Sequence, residues 1–169
     1  MVRAGSPATT RGPAGIGQQA TGGDWMPSEE HFRKLEHLYL GAPINQFYRP
    51  GIHIGTGTAE VTLAVRPDLF HPAHSLHGSV YFKLLDDAAF FAVNSFVDDV
   101  FMLTVSFTVY LLRSVTEGVI TSQGRIVHSS SRLFVAESRL VDGAGRQVAT
   151  GSGTFMRSQT PLTPEVGYV

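Results

Sequence analysis

The chain is 169 residues long, 43% hydrophobic and only 16% charged, with 13 Lys and Arg against 14 Asp and Glu, where a soluble domain usually carries about 25% charged residues. A formal net charge of −1 leaves no basic excess to bind phosphate backbones, so nucleic acid is excluded as a partner. The absence of Cys excludes disulfides, thiolate metal sites and Cys nucleophiles, and no apolar run reaches the roughly 18 residues of a membrane helix.

In chain order, residues 1–24 are Gly, Ala, Thr, Pro and Gln with two arginines and almost nothing to bury, which reads as a disordered tail. It has no apolar stretch of a secretory signal, and its glycines and prolines oppose the amphipathic helix of a transit peptide. The expectation is a cytoplasmic chain with one domain over residues 25–158 and a loose C-terminal tail over 159–169. Ser28 is placed to cap a short helix with Glu29 and Glu30 in its first turn. Phe32, Leu35, Leu38 and Tyr39 give it an apolar stripe, and Gly41 and Pro43 end it. From Ile52 to Val65 the apolar spacing is close to two, which predicts a strand with one buried face. Residues 68–76 read as a loop.

Ser79 to Val97 is the densest apolar segment and predicts a long helix of about five turns. Beyond Asp98 and Asp99 the period becomes two. Phe101, Leu103, Val105, Phe107, Val109 and Leu111 fall on one face of a strand. Three more strands are predicted, at 118–129, 132–141 and 147–156, with Asp142-Gly143 as a hairpin turn between the last two. Short connections favour an antiparallel sheet. A helix that is apolar nearly all round needs cover on most sides. A curved sheet wrapped around it provides that cover, an α+β solution. Ala149, Gly151 and Gly153 on the last strand offer a place where the helix can come close.

On the helical wheel Lys83, Asp87 and Asn94 fall within about 40° of one another and form a polar, solvent-side stripe. Asp86 lies off that stripe, among Phe82, Ala89, Phe90 and Val93. A carboxylate in apolar surroundings has a raised pKa unless donors meet it, which makes Asp86 a candidate general base or nucleophile. The same position also fits a carboxylate that caps or bridges an interface. The helix opens at His77-Gly78-Ser79, where the first N–H groups have no intrahelical acceptor. They can polarise a carbonyl or hold an oxyanion, and Gly78 lets a ligand approach the backbone. His71, His74 and His77 repeat at spacing three, but no Cys or nearby carboxylate completes a metal set. Neither a metal nor a cofactor is expected.

The segment His77-Gly78-Ser79-Val80-Tyr81-Phe82-Lys83-Leu84-Leu85-Asp86-Asp87-Ala88-Ala89 resembles the signature of hotdog-fold acyl-CoA thioesterases of the PaaI-like, phenylacetate-degradation type. Thr104-Val105-Ser106-Phe107 to Arg113-Ser114 is similar to the strand after the helix in that family. The resemblance spans about residues 41–156. It implies a hotdog: a curved antiparallel sheet around one central helix, paired into a double-hotdog homodimer or a dimer of such dimers. It implies an acyl-CoA substrate, with Gly78 polarising the thioester carbonyl beside the signature His77. Asp86 of the opposing subunit would be nucleophile or general base, and Thr104 would orient the water. Two positions depart from the family pattern. Ser79 replaces a second glycine, and His71 stands where relatives carry Asn. Both are candidate substrate contacts, with Phe82 in an apolar acyl pocket and Arg132 near the CoA phosphates. Two other functions fit the same fold: a non-catalytic acyl-CoA-binding module, and a hydratase or dehydratase acting on enoyl-CoA.

Overall fold

The computed structural model describes residues 27–169. The expectations for residues 1–24 lie outside the described residues. Helix α1 (Glu29–Gly41) starts as the sequence suggests: the Ser28 hydroxyl accepts from the His31 N–H at 3.2 Å. Pro43 does not merely end it. It opens a second short helix, α2 (Pro43–Tyr48), where its missing N–H costs nothing at the first position.

The single strand expected over 52–65 is a hairpin of two. Strands β1 (Gly51–Gly55) and β2 (Thr58–Ala64) pair antiparallel around Thr56-Gly57. Gly57 has φ +67°, a backbone state that its missing Cβ allows. The expected loop over 68–76 contains a 3₁₀ turn (Pro67–Leu69) and a miniature hairpin of β3 (Phe70–His71) and β4 (Ser75–Leu76). The long helix, α3 (Gly78–Asn94), follows. Then come β5 (Val100–Leu111), β6 (Val119–Ser129), β7 (Leu133–Val141) and β8 (Gln147–Pro161). Six strands form one antiparallel sheet in the order β1-β2-β6-β7-β8-β5, with β5 at an edge. Helix α3 packs on the sheet, and Leu84, Leu85, Ala88, Ala89, Ala92 and Val93 are fully enclosed.

Three expectations about faces are corrected. First, the helix makes its closest approach at β6. A Cβ on Gly124 would collide with the backbone of Ala88. Gly151 and Gly153 on β8 face the ring of Phe107 instead. Second, the stripe of Lys83, Asp87 and Asn94 is not solvated, because α1 covers it. Asn94 is completely buried, and the Tyr39 hydroxyl donates to Asp87 at 2.7 Å. Third, strict alternation along β5 fails at a bulge between Thr104 and Ser106. Met102 is buried, whereas Leu103 and Val105 are more than half exposed. Val105 is the extra residue, so Thr104 and Phe107 both face the helix although three positions apart.

The C-terminal residues are not a loose tail. Strand β8 runs on to Pro161, and the Leu162 N–H donates to the Asp99 carbonyl at 3.0 Å. Tyr168 lies 2.6 Å from the His31 ring, and both Leu162 and Tyr168 pack on the core. No helix among the described residues is long and apolar enough to cross a membrane.

Candidate active site

Strand β5 lies along the face of α3 that carries Asp86. Four contacts follow in antiparallel sequence. A Cβ on Gly78 would touch Leu111 at 3.2 Å. The rings of Phe82 and Phe107 meet edge to face at 5.9 Å. Thr104 donates to Asp86 at 3.0 Å, and Phe90 meets Phe101 at 5.2 Å. Phe155 backs both aromatic pairs, 6.3 Å from Phe107 and 6.2 Å from Phe90. Asp86 therefore sits in a gap between two pairs of aromatic rings, with a hydroxyl as its hydrogen-bond donor.

Burial pushes the Asp86 carboxyl up to about 6 from 3.8. The Thr104 hydrogen bond pulls it part of the way back, the Asp87 charge raises it further, and Lys83 lowers it. A carboxylate held near neutrality is matched to proton transfer at neutral pH. Asp87, its neighbour, has a different task. It is an ion-pair partner of Lys83 at 2.6 Å, with both side chains mostly enclosed. The Lys83 ammonium also lies over the rings of Tyr39 and Tyr48, at 5.3 and 5.4 Å. Burial raises the Asp87 pKa and Lys83 opposes the rise. Burial together with Asp87 pushes the Tyr39 hydroxyl far up. This cluster ties α1 to α3 directly behind Asp86.

The helix start forms a second, separate feature. His77 is the cap of α3: its Nδ1 accepts from the Ser79 N–H at 3.1 Å, and its carbonyl accepts from Val80 at 2.9 Å. The Ser79 hydroxyl turns back to the same Nδ1 at 2.7 Å. The Gly78 N–H is left without an acceptor among the described residues. Gly78 lines a cavity of about 260 Å³ together with His71, Leu76, Tyr81, Leu111, Leu112, Arg113 and Ser114. His71 reaches this cavity with both ring nitrogens engaged, by the Ala73 N–H at 3.1 Å and the Ser75 hydroxyl at 2.8 Å. A larger groove of about 850 Å³ lies across the outer sheet face, lined by Glu60, Gln123, Arg125 and Arg139, among others, and includes none of these groups.

The structure thus joins Asp86, Thr104 and Phe82, and separately joins Gly78, His77, Ser79 and His71. It does not join the two sets within one chain. Gly78 and Asp86 are eight residues apart, about 12 Å along a helix axis, with the Phe82–Phe107 pair between them. Arg132 joins neither set. It is exposed on the β6–β7 turn, and its neighbour Leu133 stands two strands from β5, aligned through Met156 with Leu103. Sequence reasoning missed Phe101, Phe107 and Phe155 as walls of the site, and Arg113 in the helix-start cavity. The only signal for Phe107 was its place beside Thr104 on β5, and the bulge that turns it inward leaves no local mark.

A six-stranded antiparallel sheet packed on one long helix is the architecture of a hotdog. Comparison with solved structures bears the fold out. The PaaI protein of the Escherichia coli phenylacetic acid degradation operon superposes with a TM-score of 0.74 at 21% identity, covering 82% of this chain and all of that one. A conserved protein of Pseudomonas aeruginosa matches with a TM-score of 0.66 at 26% identity, over 69% of this chain and 94% of its own. A mutant of a Staphylococcus aureus thioesterase enzyme matches with a TM-score of 0.65 at 17% identity, over 68% and 98%. Residues 73–149 match the family model of the Thioesterase superfamily, a span that holds Gly78, Asp86 and Thr104. The chain therefore has the hotdog fold, and its residues 73–149 match the thioesterase-superfamily pattern. A search of the curated proteins finds no match. The superfamily and fold fit acyl-thioester hydrolysis in general.

Proposed function

We propose that this protein is an acyl-CoA thioesterase whose active site is completed by a second copy of the chain. The observation that carries the reading is Asp86: a carboxyl held near pKa 6 between aromatic rings, with a hydroxyl to orient it. Asp86 acts as general base on water, or as nucleophile through an acyl-Asp86 anhydride that water then opens. Either way the product is a free acid, and the thiolate of CoA leaves with a proton. Thr104 holds the carboxylate in place. The Gly78 N–H is the oxyanion donor, at the positive end of α3.

An oxyanion donor and a base must both lie within about 3 Å of one thioester. A separation of about 12 Å along one helix forbids this in cis, so Gly78 of one protomer must serve Asp86 of its partner. Strand β5 supports that arrangement. It is an unpaired edge with neither a charge nor a Pro over residues 100–112, and Val105 and Tyr110 are exposed by 57% and 61%. Monomeric proteins blunt such an edge with charge or Pro, because it pairs with another strand. The homodimer covers it. His71, Ser79 and Phe82 border the two halves of the site and are proposed substrate contacts, whereas Arg132 serves only if the CoA phosphates reach the β6–β7 turn.

Thiol release from a panel of acyl-CoA thioesters tests the activity, with Asp86→Ala as control. Binding without release by the native protein would favour the non-catalytic module instead. Complementation tests the shared site. Gly78→Pro removes the N–H at a first helical position that tolerates proline. Neither Asp86→Ala nor Gly78→Pro turns over alone. Mixed and re-formed dimers regain about one quarter of native turnover, one intact site in each mixed dimer. No recovery on mixing would sink the shared site.

A further inference from the structure

We propose that Phe107, held edge to face against Phe82, sets the length of acyl chain that the site accepts. The inference rests on the acyl-CoA reading above and names the group that ends the pocket.

Only one side of Asp86 is open to a ligand. Phe82, one turn towards the start of α3, is 44% exposed. Phe90, one turn towards its end, is 8% exposed, and Phe155 behind is fully buried. An acyl chain lying against Asp86 therefore runs along Phe82 and meets Phe107. That ring lies close against the backbone of β8. A Cβ on Gly151 or on Gly153 would collide with it, and Gly153 is the cross-strand neighbour of Phe107 itself. Glycine weakens the interior of a strand, and β8 is an interior strand of this sheet. Two glycines at alternate positions thus form a slot, and Phe107 fills it. The bulge at Val105 turns the ring into the slot, because regular alternation from Thr104 would point residue 107 outward. With the ring removed, the space beside Phe82 continues over the bare backbone of Gly153 and Gly151.

The test is equilibrium binding of S-alkyl-CoA thioethers, from two to twelve carbons, to the full-length protein. These probes have no carbonyl, so binding is read whether or not the protein hydrolyses thioesters. In the native protein affinity rises about fourfold per buried methylene and then stops at a short chain. In Phe107→Ala the rise continues for several further carbons before it stops. Phe82→Ala, at a half-exposed position that folding tolerates, moves the break point in the same direction and keeps the test decisive if Phe107→Ala does not fold. The same break point in native protein and variants would overturn the proposal, as would the absence of binding at every length. Failure of the hydrolase reading shows separately, as absent thiol release from acyl-CoA by a protein that still binds the thioethers.

Discussion

Replacing Asp86 with Asn keeps the shape of the side chain and removes its titration. In the native chain the carboxyl sits at about 6 against 3.8 unperturbed, chiefly because burial disfavours its charge. A shift of about 2 units corresponds to about 3 kcal/mol between the protonated and ionised forms. The carboxyl is not fully enclosed, and solvent screening reduces the effect to about 1–3 kcal/mol. The folded state holds this proton more tightly than the unfolded chain does. Stability from the site is therefore complete below about pH 4 and is lost as pH rises through about 6. Asn does not follow that course. The Asp86→Asn protein gains on the native one as pH rises, from near parity at pH 4 to an advantage of about 1–3 kcal/mol above pH 7. For a chain of this size the advantage amounts to roughly 3–10 °C in Tm. Urea denaturation at pH steps from 4 to 8 measures it. The same variant loses turnover by about 100-fold or more, while native kcat/KM rises with pH to a plateau through an apparent pKa near 6. A stability difference that does not change with pH would refute the burial of this carboxyl, and a native profile flat between pH 5 and 7 would refute its role as base.

Other consequences follow from the same contacts. Thr104→Val removes the hydrogen bond that favours the ionised carboxylate, and moves the acidic limb of the pH–rate profile up by about one unit. Asp87→Asn does the opposite to that limb, because it deletes the charge that raises the Asp86 pKa. It also strands the buried Lys83 ammonium, at a cost of about 3–5 kcal/mol in urea melts, whereas a paired Lys83→Met, Asp87→Leu exchange restores only part of the loss, because the buried Tyr39 hydroxyl then lacks its acceptor. Gly124→Ala forces a methyl against the α3 backbone and lowers stability by about 1–3 kcal/mol or more, read from the denaturation midpoint. Light scattering at micromolar concentration reports a dimer, and a monodisperse monomer would contradict the pairing of β5.

Much of this protein is written locally in its sequence. The cap at Ser28, the opening of α3 at His77-Gly78, the off-stripe position of Asp86 and the presence of four long strands after α3 all follow from nearest-neighbour chemistry. Even the shortage of charge has a local address, since residues 100–111 form an uncharged edge strand. What the sequence left open depends on contacts between distant segments. The polar stripe of α3 looked solvent-facing because a helical wheel cannot show that α1, some forty residues earlier, folds over it with Tyr39 on Asp87. The glycines of β8 looked like a landing place for the helix, but pairing with β5 gives that space to Phe107 and leaves the close approach to Gly124. The bulge at Val105 is invisible to periodicity, because an inserted residue is defined only against the partner strand. It places Thr104 on Asp86 and Phe107 beside Phe82 at once. Sequence thus singled out candidate residues such as Gly78 and Asp86, through spacing that is local. Tertiary structure decided which of them meet, because register and cover are properties of pairs of segments.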